Sequence, residues 1–221
     1  NYCTDYVSAV YEFWLHSGEV QTVRQLWPCL LRLLRYLRED IDLESAAPNR
    51  DFLTDNCYLG DGTRDGIHSR TAMRMGLCEA LQDGARLADA LGEAAAATSL
   101  RIAHEEEVSR VRRVAWDADR AVFVDNDHVS WRANAQAVLA GVTTPGASAH
   151  ALLSRVAAIK DAIRPVAGFA VFHTLRGLFE AGLDRMALDW IRHDWGRAVQ
   201  AGLTTCPEGF PKDIECVFHH E

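Results

Sequence analysis

The chain has 221 residues, 48% hydrophobic and 24% charged, an ordinary globular balance with enough length for one large domain or two small ones. A net charge of -8 excludes the basic surface that phosphate binding needs, so no nucleic-acid partner is expected. No window approaches the ~20 apolar residues of a membrane span, and 15 Gly with 6 Pro exclude a disordered or collagen-like chain.

The first periodic segment, Asp5 to His16, sets Tyr6, Val10, Phe13 and Trp14 on one side and stops at Ser17-Gly18. Glu19 to Leu37 follows with a stripe of Val20, Val23, Leu26, Trp27, Leu30, Leu31, Leu34 and Leu37; Pro28 within it predicts a kink or a nearby turn. Residues 39–67 lose the period and collect Asp, Asn, Gly and Pro, which reads as a long loop. Helical period resumes from Arg70 to Leu91, ends at Gly92, and returns from Ala94 to Val114. The run Ala121-Val122-Phe123-Val124 is a short strand or an extended turn. Four more helices are expected at 130–139, 147–159, 166–181 and 184–199, and Gly141, Gly182 and Gly202 are read as stops because Gly takes a left-handed conformation cheaply.

This order has no strand–helix alternation, so a parallel sheet is excluded and an all-α fold of helical hairpins is expected. An open solenoid would show a fixed repeat with recurring signature positions, and none is visible. A closed toroid of unlike inner and outer helices is the favoured architecture.

Six cysteines without a CxxC pair argue against structural zinc, and free, partly buried thiols are expected, with disulfides left open. His104, His150, His173 and His193 are isolated on helices, so no metal and no cofactor is expected. Glu105-Glu106-Glu107 reads as a solvated helix face. No signal peptide is visible, the chain opens without Met, and both ends look cut, so the compartment is not legible.

Three stretches, in order, resemble the catalytic domain of the α-L-rhamnosidases, glycoside hydrolase family 78. YCTDYVSAVYEFWLHSGEVQTVRQLWPCLLRLLRYL is similar to that family's paired helices with a W/Y-P step. WDADRAVFVDNDHVSWRANAQAVLAGV matches its W-D … S-x-x-x-N-A-x-A passage. FAVFHTLRGLFEAGLDRMALDWIRHDWGRAVQAGLTTCPEGF is similar to its helix pair ending in T-T-x-W-E.

The resemblance implies an (α/α)6 toroid, of which residues 1–221 would be a single, partial catalytic-type domain. It implies inverting hydrolysis of terminal α-L-rhamnosides. The general base falls on Glu208, after Thr204 and Thr205; Asp55 falls on a sugar contact, and the family's His after the base falls on His219 or His220, with His220 taken as the sugar contact. Two departures stand out: Pro207 replaces the Trp before the base, and Asn56 stands where Trp follows the sugar-contacting Asp. The family's general acid belongs to a segment upstream of all three stretches.

Inversion needs two carboxyl groups about 6.5–9.5 Å apart, one protonating the leaving oxygen and one drawing a proton from water. Glu208 suits the base because it follows a helix directly, where a barrel mouth would lie. The loop LTDNCYLGDGTRDGIHSR carries Asp55 and Asp61, which either bind sugar hydroxyls or serve as turn formers beside Gly62 and Gly66. Trp14, Trp27 and Trp190 sit on helical stripes and are expected in the core. Trp131 and Trp195 lie near helix ends and are read evenly as core or as walls of a sugar subsite.

The partner expected is therefore a carbohydrate. Uncovered inner faces of a partial ring would be met by the remainder of a longer chain or by a homo-oligomer. Two other readings stay open: a non-catalytic carbohydrate-binding relative, and a helical scaffold that shares only hairpin periodicity.

Overall fold

A computed structural model describes residues 2–39, 70–125, 127–143, 148–165 and 168–205. Eight helices lie among them: α1 Tyr2–Ser17, α2 Val20–Glu39, α3 Arg70–Leu91, α4 Ala94–Ala115, α5 Trp131–Leu139, α6 Ala149–Ala158, α7 Gly168–Glu180 and α8 Asp184–Gln200. Three short strands, β1 Trp116–Asp117, β2 Val122–Asp125 and β3 His128–Val129, form an antiparallel meander between α4 and α5. Of these the sequence marks only the β2 run, because two-residue strands are too short to show an alternating pattern. Loop 39–67 lies almost wholly outside the described residues.

Each predicted stop glycine takes a positive φ, and at Gly92 the reason is visible in the backbone. Gly92 (φ +77) donates to Asp89 O at 3.0 Å and Glu93 donates to Ala88 O at 2.8 Å, which closes the carbonyls at the end of α3. Gly182 and Leu183 repeat the pattern on Phe179 O and Leu178 O. Pro28 is accommodated inside α2.

The chain divides into two compact units. In the first (Asn1–Asp55, Met73–Val114 and Ala140–Val142), the stripe that makes α2 a helix also makes its core. Val23, Trp27, Leu30, Leu34 and Leu37 are buried with Val7 and Val10 of α1, Leu77 and Leu81 of α3, and Ala97 and Leu100 of α4. Each fully buried Leu or Val contributes about 1.5–3 kcal/mol. Trp14 is only partly buried, packing against this cluster from its edge.

Glu107 corrects the reading of the 105–107 run as a solvated face. It is 9% exposed and accepts a hydrogen bond from Arg74 Nη1 at 2.7 Å. Glu107 is turned about 200° around the helix from Glu105, which carries it onto the packed face, and here a buried guanidinium compensates it. Cys3, Cys29 and Cys78 are free thiols, and burial pushes the Cys78 thiol well up from its ordinary value.

The second unit takes Asn56–Ala72, Ala115–Leu139 and Thr143–Glu221. Its centre is α5, in which every residue from Trp131 to Ala137 is buried. A helix surrounded on all sides needs small residues where its neighbours come closest, and α5 supplies Ala133, Ala135 and Ala137. Gly177 of α7 completes the contact: a Cβ there would lie 2.7 Å from both the Cβ and the carbonyl oxygen of Ala135.

Candidate functional site

The meander is fixed onto α5 by one side chain. Asn134 Oδ1 accepts from Phe123 N at 2.9 Å, while its Nδ2 donates to Phe123 O and Ser130 O, each at 2.9 Å. The amide thus acts as an extra strand residue for β2, and its spacing from Ser130 is the physical content of the S-x-x-x-N motif. Ser130 caps the same helix, its Oγ accepting from Ala133 N at 3.1 Å. The far end of β2 holds the start of α3. Both Asp125 carboxylate oxygens accept from Thr71 N, at 3.2 and 3.1 Å, and Thr71 Oγ1 donates to Val124 O at 2.8 Å. A carboxylate at a helix N-terminus is favoured by its free N–H groups and dipole.

The segment joining α6 to α7 returns to the same end of α5. Ile163 N donates to Val129 O at 2.8 Å and Trp131 N donates to Ile163 O at 3.0 Å. Its next residue, Arg164, lies 4.0 Å over the Trp190 ring and 3.5 Å from the Asp194 carboxylate. Asp194 is 4% exposed, accepts from Trp190 Nε1 at 2.6 Å and meets His193 Nδ1 at 2.7 Å. Burial draws the Arg164 guanidinium below its ordinary value, against the opposing pull of Asp194. This cluster joins α8 to the connector.

Trp131 is 8% exposed and stands edge-on to Trp190 at 5.2 Å, so both rings are buried; of the two readings open for Trp131, this geometry matches core. Trp195 is partly buried on α8, and Thr204 and Thr205 are exposed just beyond the Gly202 stop. Asp55, Asp61, Glu208 and His220 lie outside the described residues. Among the described residues, no group of three or more His, Cys, Asp or Glu is placed to hold a metal ion, and no helix is long and apolar enough to cross a membrane.

Sequence reasoning took Asn134 only as a motif position and passed over Asp125, the Arg164–Asp194 pair and Arg132. The last is 2% exposed, with its guanidinium 4.9 Å from the Phe169 ring centroid. Asn134 and Arg132 were detectable in principle as polar residues inside a run of alanines. The two acids carried no such mark, because their partners are 54 and 30 residues away in the chain.

No protein-family profile and no curated protein matches the sequence. Solved structures do match. A family 78 rhamnosidase of Bacillus sp. GL1 superposes with a TM-score of 0.77 at 22% identity, over 96% of this chain and 23% of that one. A rhamnosidase from Klebsiella oxytoca, solved with rhamnose bound, gives a TM-score of 0.73 at 21% identity, over 97% of this chain and 40% of that one. The chain therefore spans less than half the length of either protein. At this identity the likeness is one of fold, and it bears out the expected class: these residues build a portion of the six-hairpin (α/α) toroid found in rhamnosidases.

Proposed function

We propose that the chain is the later part of a glycoside hydrolase catalytic domain that hydrolyses terminal α-L-rhamnosides with inversion. Residues 1–221 form part of one (α/α) domain in this reading. Glu208 is the general base that draws a proton from the attacking water. Asp55, Asp61, Trp195 and His220 contact the sugar, and sequence upstream of Asn1 supplies the general acid. No cofactor enters the scheme, since two carboxyl groups suffice for inversion.

The observation that carries this reading is the match of nearly the whole chain to two rhamnosidase structures. It also speaks against a scaffold that shares only hairpin periodicity. Replacing Glu208 with Gln in the full-length protein should lower turnover of an aryl rhamnoside by about 10²–10⁴-fold while leaving sugar binding in place. Unchanged turnover removes Glu208 from the mechanism.

Pro207 and Asn56 favour a second reading, a relative that binds carbohydrate without cleaving it. Both replace a Trp that would wall the sugar site. Saturable rhamnoside binding with no product after prolonged incubation of the full-length protein would select it.

A further inference from the structure

The first unit keeps an open groove between α2 and α4. Its volume is about 440 Å³, within the range of small-molecule sites. Leu31 and Leu34 of α2 and Ala96 and Leu100 of α4 make its floor, and the exposed side chains of Arg35, Arg38 and Ser99 bound its mouth. The space arises because α4 turns Ala96 and Ser99 toward the two leucines, and side chains this short cannot fill the roughly 8–10 Å between the axes of packed helices. From Leu31 to Arg38 the lining follows about 10 Å of α2, which makes the groove a trough.

The charge around the trough is one-sided. Helix α2 carries four arginines and a single acid, Glu39, in a chain whose net charge is -8. Arg38 is matched, its Nη2 donating to Glu106 Oε2 at 3.3 Å. Arg35, about one turn earlier on the same face, makes no ion pair or hydrogen bond among the described residues. An apolar floor therefore lies beside one unmatched cation.

We infer that this trough binds a singly charged amphiphile, an alkyl chain bearing one carboxylate. The chain covers Leu31, Leu34, Ala96 and Leu100, removing their apolar surface from water. The carboxylate meets Arg35, whose planar fork matches its two oxygens. A dianion is disfavoured because Glu106 already stands beside Arg38. A docked protein helix is disfavoured by size, since a specific protein interface takes about 20–30 residues a side and seven line this groove.

Isothermal titration of the full-length protein with decanoate, below its micelle concentration, tests the inference. Saturable binding of one decanoate per chain is expected, weakened about tenfold in Arg35→Gln, the effect of losing one solvent-exposed charge-assisted bond. Arg32→Gln removes the same charge from a part of α2 that does not line the trough, and should leave the affinity unchanged. Ala96→Leu fills the trough and should abolish binding. Arg32 and Arg35 are both exposed, so their variants remain informative even if Ala96→Leu fails to fold. Decyltrimethylammonium, with the same chain and the opposite charge, should not bind. The inference is overturned by an absence of saturable decanoate binding, by equal effects of Arg35→Gln and Arg32→Gln, or by equal affinity for decyltrimethylammonium. Sedimentation of the unliganded protein adds a last outcome: a dimer that Ala96→Leu converts to monomer would place a second copy in the trough and overturn it too. None of these measurements reads rhamnoside turnover, so the hydrolase reading stands or falls separately.

Discussion

Asp83 offers a quantitative test of how the first unit is built. It is 3% exposed on α3, with a hydrogen bond to the buried Ser8 hydroxyl of α1 and with Glu79, also 3% exposed, one turn before it. Arg86 Nη1 donates to its Oδ1 at 3.0 Å, but the Arg86 side chain is 48% exposed and stacks its guanidinium 5.3 Å from the Tyr11 ring centroid. Water screens that partner, whereas the carboxylate has lost nearly all of its own hydration. Burial therefore dominates, Glu79 reinforces it, and the Asp83 carboxyl is pushed up to about 6 from an ordinary value of 3.8.

The sign follows from linkage. A carboxyl whose pKa is higher in the folded state binds its proton more tightly there, so folding is favoured below pH ~4 and that advantage is lost as pH rises through about 6. A shift of about two units corresponds to at most ~3 kcal/mol, and relaxation around the ion reduces this to about 1–3 kcal/mol. Asp83→Asn keeps the shape and the Ser8 bond and removes the charge. Urea unfolding followed by far-UV circular dichroism should show the variant about 1–2 kcal/mol more stable than the parent at roughly pH 7.5, with the difference shrinking toward zero near pH 4. A difference that is flat across that interval, or a variant less stable at the higher pH, would refute the account of Asp83 as a desolvated acid.

Two further outcomes follow from the second unit. Gly177→Ala drives a methyl into Ala135 and its carbonyl, so it should cost about 1–3 kcal/mol although Ala is the better helix former; a stabilised variant would show that α5 and α7 can separate freely. Asn134→Ala leaves the buried N–H and C=O of Phe123 without partners, which should cost about 2–4 kcal/mol in the same urea assay, and a loss below ~1 kcal/mol would mean that water replaces the amide.

Much of the helical content was legible from the chain because its signals are local. The α3 stripe and Gly92 mark the ends of that helix from sequence alone, and Arg70–Leu91 is also where the structure begins and ends it. The S-x-x-x-N and T-T-x-x-E patterns led to the rhamnosidase fold before any superposition. The candidate site was less legible, since Asp55, Asp61, Glu208 and His220 rest on motif resemblance, while Trp131 could be read as wall or core until Trp190 was found against it.

Periodicity, glycine stops and hairpin order are properties of neighbouring residues, so the sequence by itself determined that this protein is a set of paired helices and, to within a residue or two, where they end. Only the tertiary structure decided which charges lie inside. Glu107 was indistinguishable from Glu105 and Glu106 until Arg74 was seen across from it, and Asp125 meant nothing before Thr71 came to its carboxylate. Burial depends on what packs from distant chain, and a charge is tolerated in the interior only where a partner arrives to replace its water.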